Sequence, residues 1–294
     1  MLRRTAMLGL TGLGLRGQTT SQGPGFICPM DKDVKSPSAG KCPRCGMKLL
    51  ANLPAPIEYL LDLRVTPRAP TPGKTAMIEF RVRHPETGQL VREFEVMHER
   101  LIHAFLISAD LQDFAHEHPK PRPDGSFDLG WTCKRRVPYR VVADLFPKGG
   151  TPQFLAKTVF PSGAPLVQSP RLVPDVTPKT AANLTVELVT EPAVPIAGQE
   201  TLLFFRVEPA AGLQLYLGAW GHLLTASDDL VDVMHDHPLY VDGLPPPDLK
   251  MASPKQIQFN LIFPRERVYR VWVQFQREGV VNTVAFNLQV KALR

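Results

Sequence analysis

The sequence predicts an all-β protein, and three observations carry that prediction. Thirty prolines in 294 residues favour edges and turns over long helices. Short Val/Leu/Phe runs bounded by turn residues recur along the chain, and no long stretch has helical periodicity. The chain also repeats itself. EYLLDLRVTPRAPTPGKTAMIEFRV, ending at Val82, returns as LTVELVTEPAVPIAGQETLLFFRV, ending at Val207. Pro67/Pro192, Pro70/Pro195, Gly73/Gly198 and Phe80-Arg81-Val82/Phe205-Arg206-Val207 coincide, and Tyr139-Arg140-Val141 matches Tyr269-Arg270-Val271. Duplicated units of about 100 residues, with turn signals at this pace, point to tandem Ig-like β-sandwiches. A small cysteine-bearing module precedes them, at residues 25–51.

Taken in order, the organisation is a leader (1–24), a cysteine module (25–51), sandwich repeat one (57–168) and sandwich repeat two (181–294). The leader opens with Met1-Leu2-Arg3-Arg4, and an apolar, glycine-rich run follows at 5–15. That run is too short to span a bilayer as a mature helix, and a basic-then-apolar opening reads as an export signal. Arg3-Arg4 resembles a twin-arginine signal, so the expected location is periplasmic or secreted. No other stretch reaches transmembrane length.

The cysteine module holds Cys28, Cys42 and Cys45, three of the four cysteines. Cys42-x-x-Cys45 followed by Gly46 is the tight turn of a metal knuckle, because glycine lets backbone amides point at the sulfurs. Met30 and Met47 flank the cysteines in Cys-Pro-Met and Cys-Gly-Met. A zinc site would ask for a fourth Cys or His. Three thiolates with thioethers suit a soft ion such as Cu(I) or Ag(I). A disulfide is the competing reading in an oxidising compartment, but three thiols leave one over.

On these residues the module resembles the heavy-metal-binding domain found at the front of periplasmic adaptor subunits of copper/silver efflux pumps and of some heavy-metal P-type ATPases. Cys28-Pro29-Met30, the Gly40–Met47 run GKCPRCGM and Leu49 fit its pattern. Asp31 and Lys32 depart from it, standing where the family has His and Pro. The resemblance implies heavy-metal binding without fixing the metal.

The histidines are the second signal. His98, His103, His116 and His118 fall within residues 98–118. Residues 222–238 lie on 103–119 without a gap, keeping His103/His222, His116/His235 and His118/His237, with Ser108/Ser227, Asp110/Asp229 and Asp113/Asp232. Most apolar positions between them differ. Packing alone would hold the apolar pattern and let the histidines drift. His116 and His118, two apart, share one face of an extended chain, and a hairpin brings His103 to them. Three neutral imidazoles converging this way can ligate a transition metal. The expected sites are therefore His103, His116 and His118 with His98 nearby, and His222, His235 and His237. His98 has no counterpart in the second copy on this reading. Met97 and Met234 are assigned to packing, Cys133 to a small buried or half-exposed thiol, and Asp110 and Asp229 to turn capping. Asp113, Glu117, Asp232 and Asp236 are candidates for orienting the imidazoles, although Glu117 and Asp236 alternate away from them.

Repeat one also resembles a class of exported bacterial β-sandwich proteins, through His98-Glu99-Arg100-Leu101-Ile102-His103, the Asp110–Phe114 run DLQDF, His116-Glu117-His118-Pro119, Asp124-Gly125-Ser126-Phe127 and Pro138-Tyr139-Arg140. This resemblance implies export and fold rather than an activity.

Several function classes fall away. The net charge of +6 is modest and its Lys and Arg are scattered without an aromatic–basic stripe, which argues against nucleic acid. There is no glycine-rich phosphate loop, no serine elbow and no distinct carboxylate pair, so no enzyme is expected. The reading is copper binding, as Cu(I) or Cu(II), with silver or zinc as alternatives, for sequestration or transfer, with an efflux or envelope protein as partner. The competing reading is a pair of adhesive or partner-docking sandwiches in which only the front module binds metal, zinc included.

Overall fold

The computed structural model describes residues 25–28, 34–51, 57–165, 169–238, 240–241 and 256–293. The leader, Met30 and the 244–255 insertion lie outside the described residues. Every regular element described is a strand, and the chain forms two compact units, 1–56 and 57–294. Among the described residues no helix is long and apolar enough to cross a membrane.

The front unit is a three-stranded antiparallel sheet of β1 (Phe26–Ile27), β2 (Lys35–Ser36) and β3 (Leu50–Ala51), in the order β2-β1-β3. Its core is small: Cys28, Cys42 and Leu49 are buried, with Phe26 and Val34 against them. So little apolar area stabilises a fold weakly, and modules of this size usually depend on a metal or cross-link.

The second unit contains both repeats. Repeat one runs β4 (Leu60–Thr66), β5 (Thr75–Arg83), β6 (Ile102–Ser108), β7 (Phe114–Glu117), β8 (Lys120–Pro121), β9 (Phe127–Thr132), β10 (Tyr139–Leu145) and β11 (Gln153–Val159). Repeat two runs β12 (Lys179–Thr180), β13 (Thr185–Glu191), β14 (Glu200–Glu208), β15 (Leu213–Gln214), β16 (His222–Ser227), β17 (Val233–Asp236), β18 (Tyr240–Val241), β19 (Gln256–Ile262), β20 (Val268–Arg277) and β21 (Val280–Gln289). Repeat one forms sheets β4-β5-β9-β8 and β11-β10-β6-β7. Repeat two forms β13-β14-β19-β18 extended by β12, and β21-β20-β16-β17 with β15 also on β20. The duplication read from sequence is thus a duplication of strand order. Register agrees as well: Tyr139 pairs Ser108 and His103 pairs Asp144, while Tyr269 pairs Ser227 and His222 pairs Gln274.

Within each repeat the two sheets close on an apolar core, as in a sandwich. In repeat one, Ile78, Phe80 and Trp131 face Ile102, Leu106 and Val141. In repeat two, Leu203, Phe205 and Phe259 face Leu223, Val271 and Phe275. A third core lies outside both sandwiches. Phe105, Ile107 and Val142 of repeat one pack with Leu224, Ala226 and Trp272 of repeat two. The rings of Phe114 and Trp272 stack at 4.8 Å. The β6 and β16 sheets therefore meet face to face, and both strands are buried along their whole length. That explains why β6 reads as an unbroken apolar run rather than an alternating one: both of its faces are covered.

A buried tyrosine ties the hairpin to the sandwich in each copy. The Tyr139 hydroxyl donates to Asp113 Oδ2 at 2.7 Å and accepts from the amides of Lys134 and Arg135. The Tyr269 hydroxyl bonds Asp232 at 2.9 Å and accepts from the Arg265 amide. Asp113 and Asp232, candidates for holding imidazoles, hold these tyrosines instead. Tyr139→Phe is expected to lower stability by about 1–3 kcal/mol, because it leaves a buried carboxylate and two amides short of a partner. Chemical denaturation of the variant measures the change.

Candidate metal centres

In the front unit the knuckle forms as its sequence requires. Gly46 takes φ 76, its amide donates to the Cys42 carbonyl, and the Cys42 amide donates to the Met47 carbonyl. The Arg44 amide points at Cys42 Sγ from 3.4 Å. The sulfurs of Cys28, Cys42 and Cys45 all lie within 4.8 Å of one another. Cys28 and Cys45 sulfurs are 3.4 Å apart, a contact far longer than a disulfide bond. Cys28 and Cys42 are buried and Cys45 is exposed, which leaves one side of the trio open to an arriving ion. Met47 contributes its carbonyl to the turn, and the residue is 45% exposed.

The histidines of the second unit converge as two trios. The ligating nitrogens of His103, His116 and His118 lie within 4.8 Å of one another, and so do those of His222, His235 and His237. The strand pairing produces this. Phe105 sits opposite His116 across β6 and β7, so His103, one step along the same face, reaches the His116 ring. The same register recurs where β17 pairs β16, with Leu224 opposite His235.

Hydrogen bonds set which nitrogen is available in His103, His222, His116 and His235. His103 Nε2 lies 3.0 Å from the Met97 carbonyl, which only accepts, so Nε2 carries the proton and Nδ1 the lone pair. His222 Nε2 donates likewise to the Tyr216 carbonyl at 2.8 Å. Both carbonyls belong to tight two-residue turns. His98 and Glu99 take φ 44 and 64 in one, Leu217 and Gly218 take φ 50 and 73 in the other. Paired positive φ values at the turn centre are the type I′ signature. His98 therefore does have a counterpart, Leu217, contrary to the sequence reading, and the length difference between the repeats falls earlier in the chain.

The second ring of each trio is oriented by the opposite repeat. His116 Nδ1 donates to Gln274 Oε1 at 2.7 Å, the Gln274 amide nitrogen being engaged by Thr283. His235 Nδ1 bonds Asp144 Oδ2, also at 2.7 Å. Asp144 and Gln274 are equivalent positions, each across the strand from its own repeat's first histidine. The two repeats thus exchange support reciprocally, as the halves of a two-fold interface do. Such outer partners fix ring orientation and raise ligand basicity. A carboxylate does this more strongly than an amide, so the trios are not equal.

The consequence is electrostatic. His103 Nδ1 faces His116 Nε2 at 3.0 Å, and with the protons placed as above both atoms present lone pairs. Among the described residues the buried Nε2 atoms of His118 and His235 have no hydrogen-bond partner. Buried polar atoms without a partner are costly. A cation held in each trio removes that cost. Burial keeps the rings neutral, the form that ligates a metal. It lowers His118 to about 4 and His222 to about 3, and holds His116 and His235 well below the ordinary value, with neighbouring imidazoles adding to the effect. Burial also raises the Asp144 carboxyl to about 6.

His98 is the sequence-predicted residue placed differently from expectation. It lies flat on His237, ring centroids 3.4 Å apart, with its edge toward His222 at 5.7 Å. It therefore covers the repeat-two trio rather than joining the repeat-one trio. Asp144, Gln274 and the two turn carbonyls were not picked out in the sequence. The offset that relates Tyr139 to Tyr269 also relates Asp144 to Gln274, which was the available signal.

Metal-free protein is expected to lose stability as pH falls from about 6.5 toward 4. The unfolded chain's histidines protonate near 6.5, whereas the folded His118 and His222 do so only near 4 and 3. Depressed histidine values therefore mean that acid favours the unfolded state throughout that window. Asp144 and Asp236, both raised to about 6, work in the opposite sense but are fewer than the lowered histidines. Thermal melts of chelator-treated protein across this range check the slope.

No curated protein matches the chain. Among solved structures, the adhesin FdeC of Escherichia coli is similar over 83% of this chain and 67% of its own, at 13% identity and a TM-score of 0.25. A two-domain fibronectin type III segment of chicken tenascin is similar over 79% of this chain and 99% of its own, at 10% identity and a TM-score of 0.23. A model for a domain of unknown function (DUF8832) matches residues 179–292. Residues 26–52 match the family model of the heavy metal binding domain, over the same knuckle whose thiols the fold brings together.

Proposed function

We propose that this is an exported, non-enzymatic heavy-metal-binding protein that sequesters or hands over copper in the bacterial cell envelope. One observation carries the reading: the three donor nitrogens of each imidazole trio lie within 4.8 Å of one another, and in the repeat-one trio the lone pairs of His103 Nδ1 and His116 Nε2 face each other at 3.0 Å. The heavy-metal family match at residues 26–52 supports it independently. Softness of the donors favours copper or silver over zinc in the thiolate module, and imidazoles accept either copper state or zinc. The resemblance of the module to efflux-adaptor domains points to an envelope efflux protein as the partner.

The docking alternative requires trios that are splayed apart or occupied by backbone bonds. Only one nitrogen of His103 and of His222 is occupied in that way. Purified full-length protein offered copper, silver and zinc in competition is expected to take up copper preferentially, to three ions per chain, one for each cluster. Uptake of a single ion, abolished by replacing Cys42 and Cys45 with Ser, would return the sandwiches to a docking role.

A further inference from the structure

The two trios do not stand apart. Ring centroids across the repeat boundary are 5.3 Å for His103 and His235, 5.6 Å for His116 and His222, and 5.7 Å for His116 and His235. Within the trios the separations run from 4.4 Å for His235 and His237 to 5.8 Å for His222 and His235. A further pair across the boundary, His103 and His222, is 6.1 Å apart, so rings of opposite trios lie only slightly farther apart than rings of the same trio. The apolar contact of Phe105, Leu224 and Trp272 holds the two sheets in this register, and the crossed bonds of His116 to Gln274 and His235 to Asp144 lock it.

We infer that the six imidazoles form one dinuclear centre, in which two copper ions lie close enough to be magnetically coupled and share a small bridging anion. This rests on the trios binding metal at all, and adds that they bind it as a pair. Three features argue for the bridge. Each trio supplies three donors, which leaves a coordination position open on each ion, as in metal sites that keep one for an exogenous ligand. The donors are neutral, so two Cu(II) ions would place four positive charges in a buried site. Among the described residues Asp144 is the carboxylate hydrogen-bonded to the cluster, through His235, with His103 and His98 also near it, and its single charge does not balance four. Like charges at short range in a low-dielectric site are strongly unfavourable unless a counter-charge lies between them. A water bound between the ions loses one proton to solvent through the pocket at His98, and the hydroxide that remains supplies that charge with no redox step. An access route exists: an open pocket lined by Met97, His98, His103, Asp144, His235 and His237 reaches the cluster from the surface.

Full-length protein carrying Cys28→Ser, Cys42→Ser and Cys45→Ser removes the front site, so that bound copper reports on the histidines alone. After Cu(II) loading and removal of excess, the expected result is two copper ions per chain with a spin-coupled EPR spectrum. Coupling is read as a half-field transition, or as integrated intensity well below the bound copper. His118→Ala and His237→Ala, each a half-buried member of its trio, are each expected to leave one copper at full spin intensity and no half-field line. Two coppers giving a full-intensity sum of two isolated spectra would overturn the pairing while leaving metal binding intact. One copper per chain would overturn it in favour of a single shared ion. No copper at all would overturn both the pairing and the function on which it rests.

Discussion

Alanine at both His116 and His118 in the full chain is expected to lower bound copper by one equivalent, without affecting the equivalent held by the cysteine module. Those two rings supply two of the three nitrogens of the repeat-one trio. The remaining His103 offers one imidazole, and its other nitrogen is committed to the Met97 carbonyl. A single neutral imidazole does not retain a transition metal through gel filtration, so the effect is loss of the ion rather than a shift in affinity. The full chain is needed because His116 takes its orientation from Gln274 of repeat two. Repeat one alone would lack that support, and outer-partner losses of this kind typically cost 10–100-fold in affinity. Gln274→Ala is accordingly expected to weaken copper binding by about that factor with the trio itself intact. Isothermal titration against a competing chelator measures both. Unchanged stoichiometry in the double variant would remove the repeat-one trio from the list of metal sites.

Trp272→Ala is the substitution expected to cost most in stability, about 3–5 kcal/mol from lost burial and the cavity left behind. Trp272 is 4% exposed, stacks on Phe114 of the other repeat, and sits in the core shared by the two sheets. Its removal therefore loosens the docking of one sandwich on the other, not only the packing of repeat two. Denaturant titration is expected to show a lower midpoint, and copper binding at the histidines is expected to weaken in step because the crossed bonds depend on that docking. Full retention of copper affinity with a large loss of stability would separate the cluster from the interface. Bound metal works in the opposite direction: an ion at 100 times its dissociation constant adds about 2.7 kcal/mol per site.

Much of this protein was legible in its residues. Proline count, short apolar runs and the duplicated Pro/Gly turns identified strands and a repeated sandwich, because each is a local property of the chain. The knuckle was legible for the same reason: Cys42, Cys45 and Gly46 form one turn, and their spacing alone brings the sulfurs together. Each histidine trio was legible as well, since one hairpin supplies all three rings and strand alternation decides which side they face.

What the residues did not disclose was which surfaces meet. Phe105 and Ile107 carry no mark of an interface in the sequence, yet they form the seam between the repeats. Asp144 and Gln274 carried no motif, because their role is to reach a ring about 90 or more residues away in the other copy. His98 was assigned to its sequence neighbours and lies instead on His237. Local pattern determined the strands, the knuckle and the membership of each trio. Only the docking of one sheet on another decided that the trios are neighbours, because that contact depends on the fit of two whole faces, which no short stretch of chain encodes.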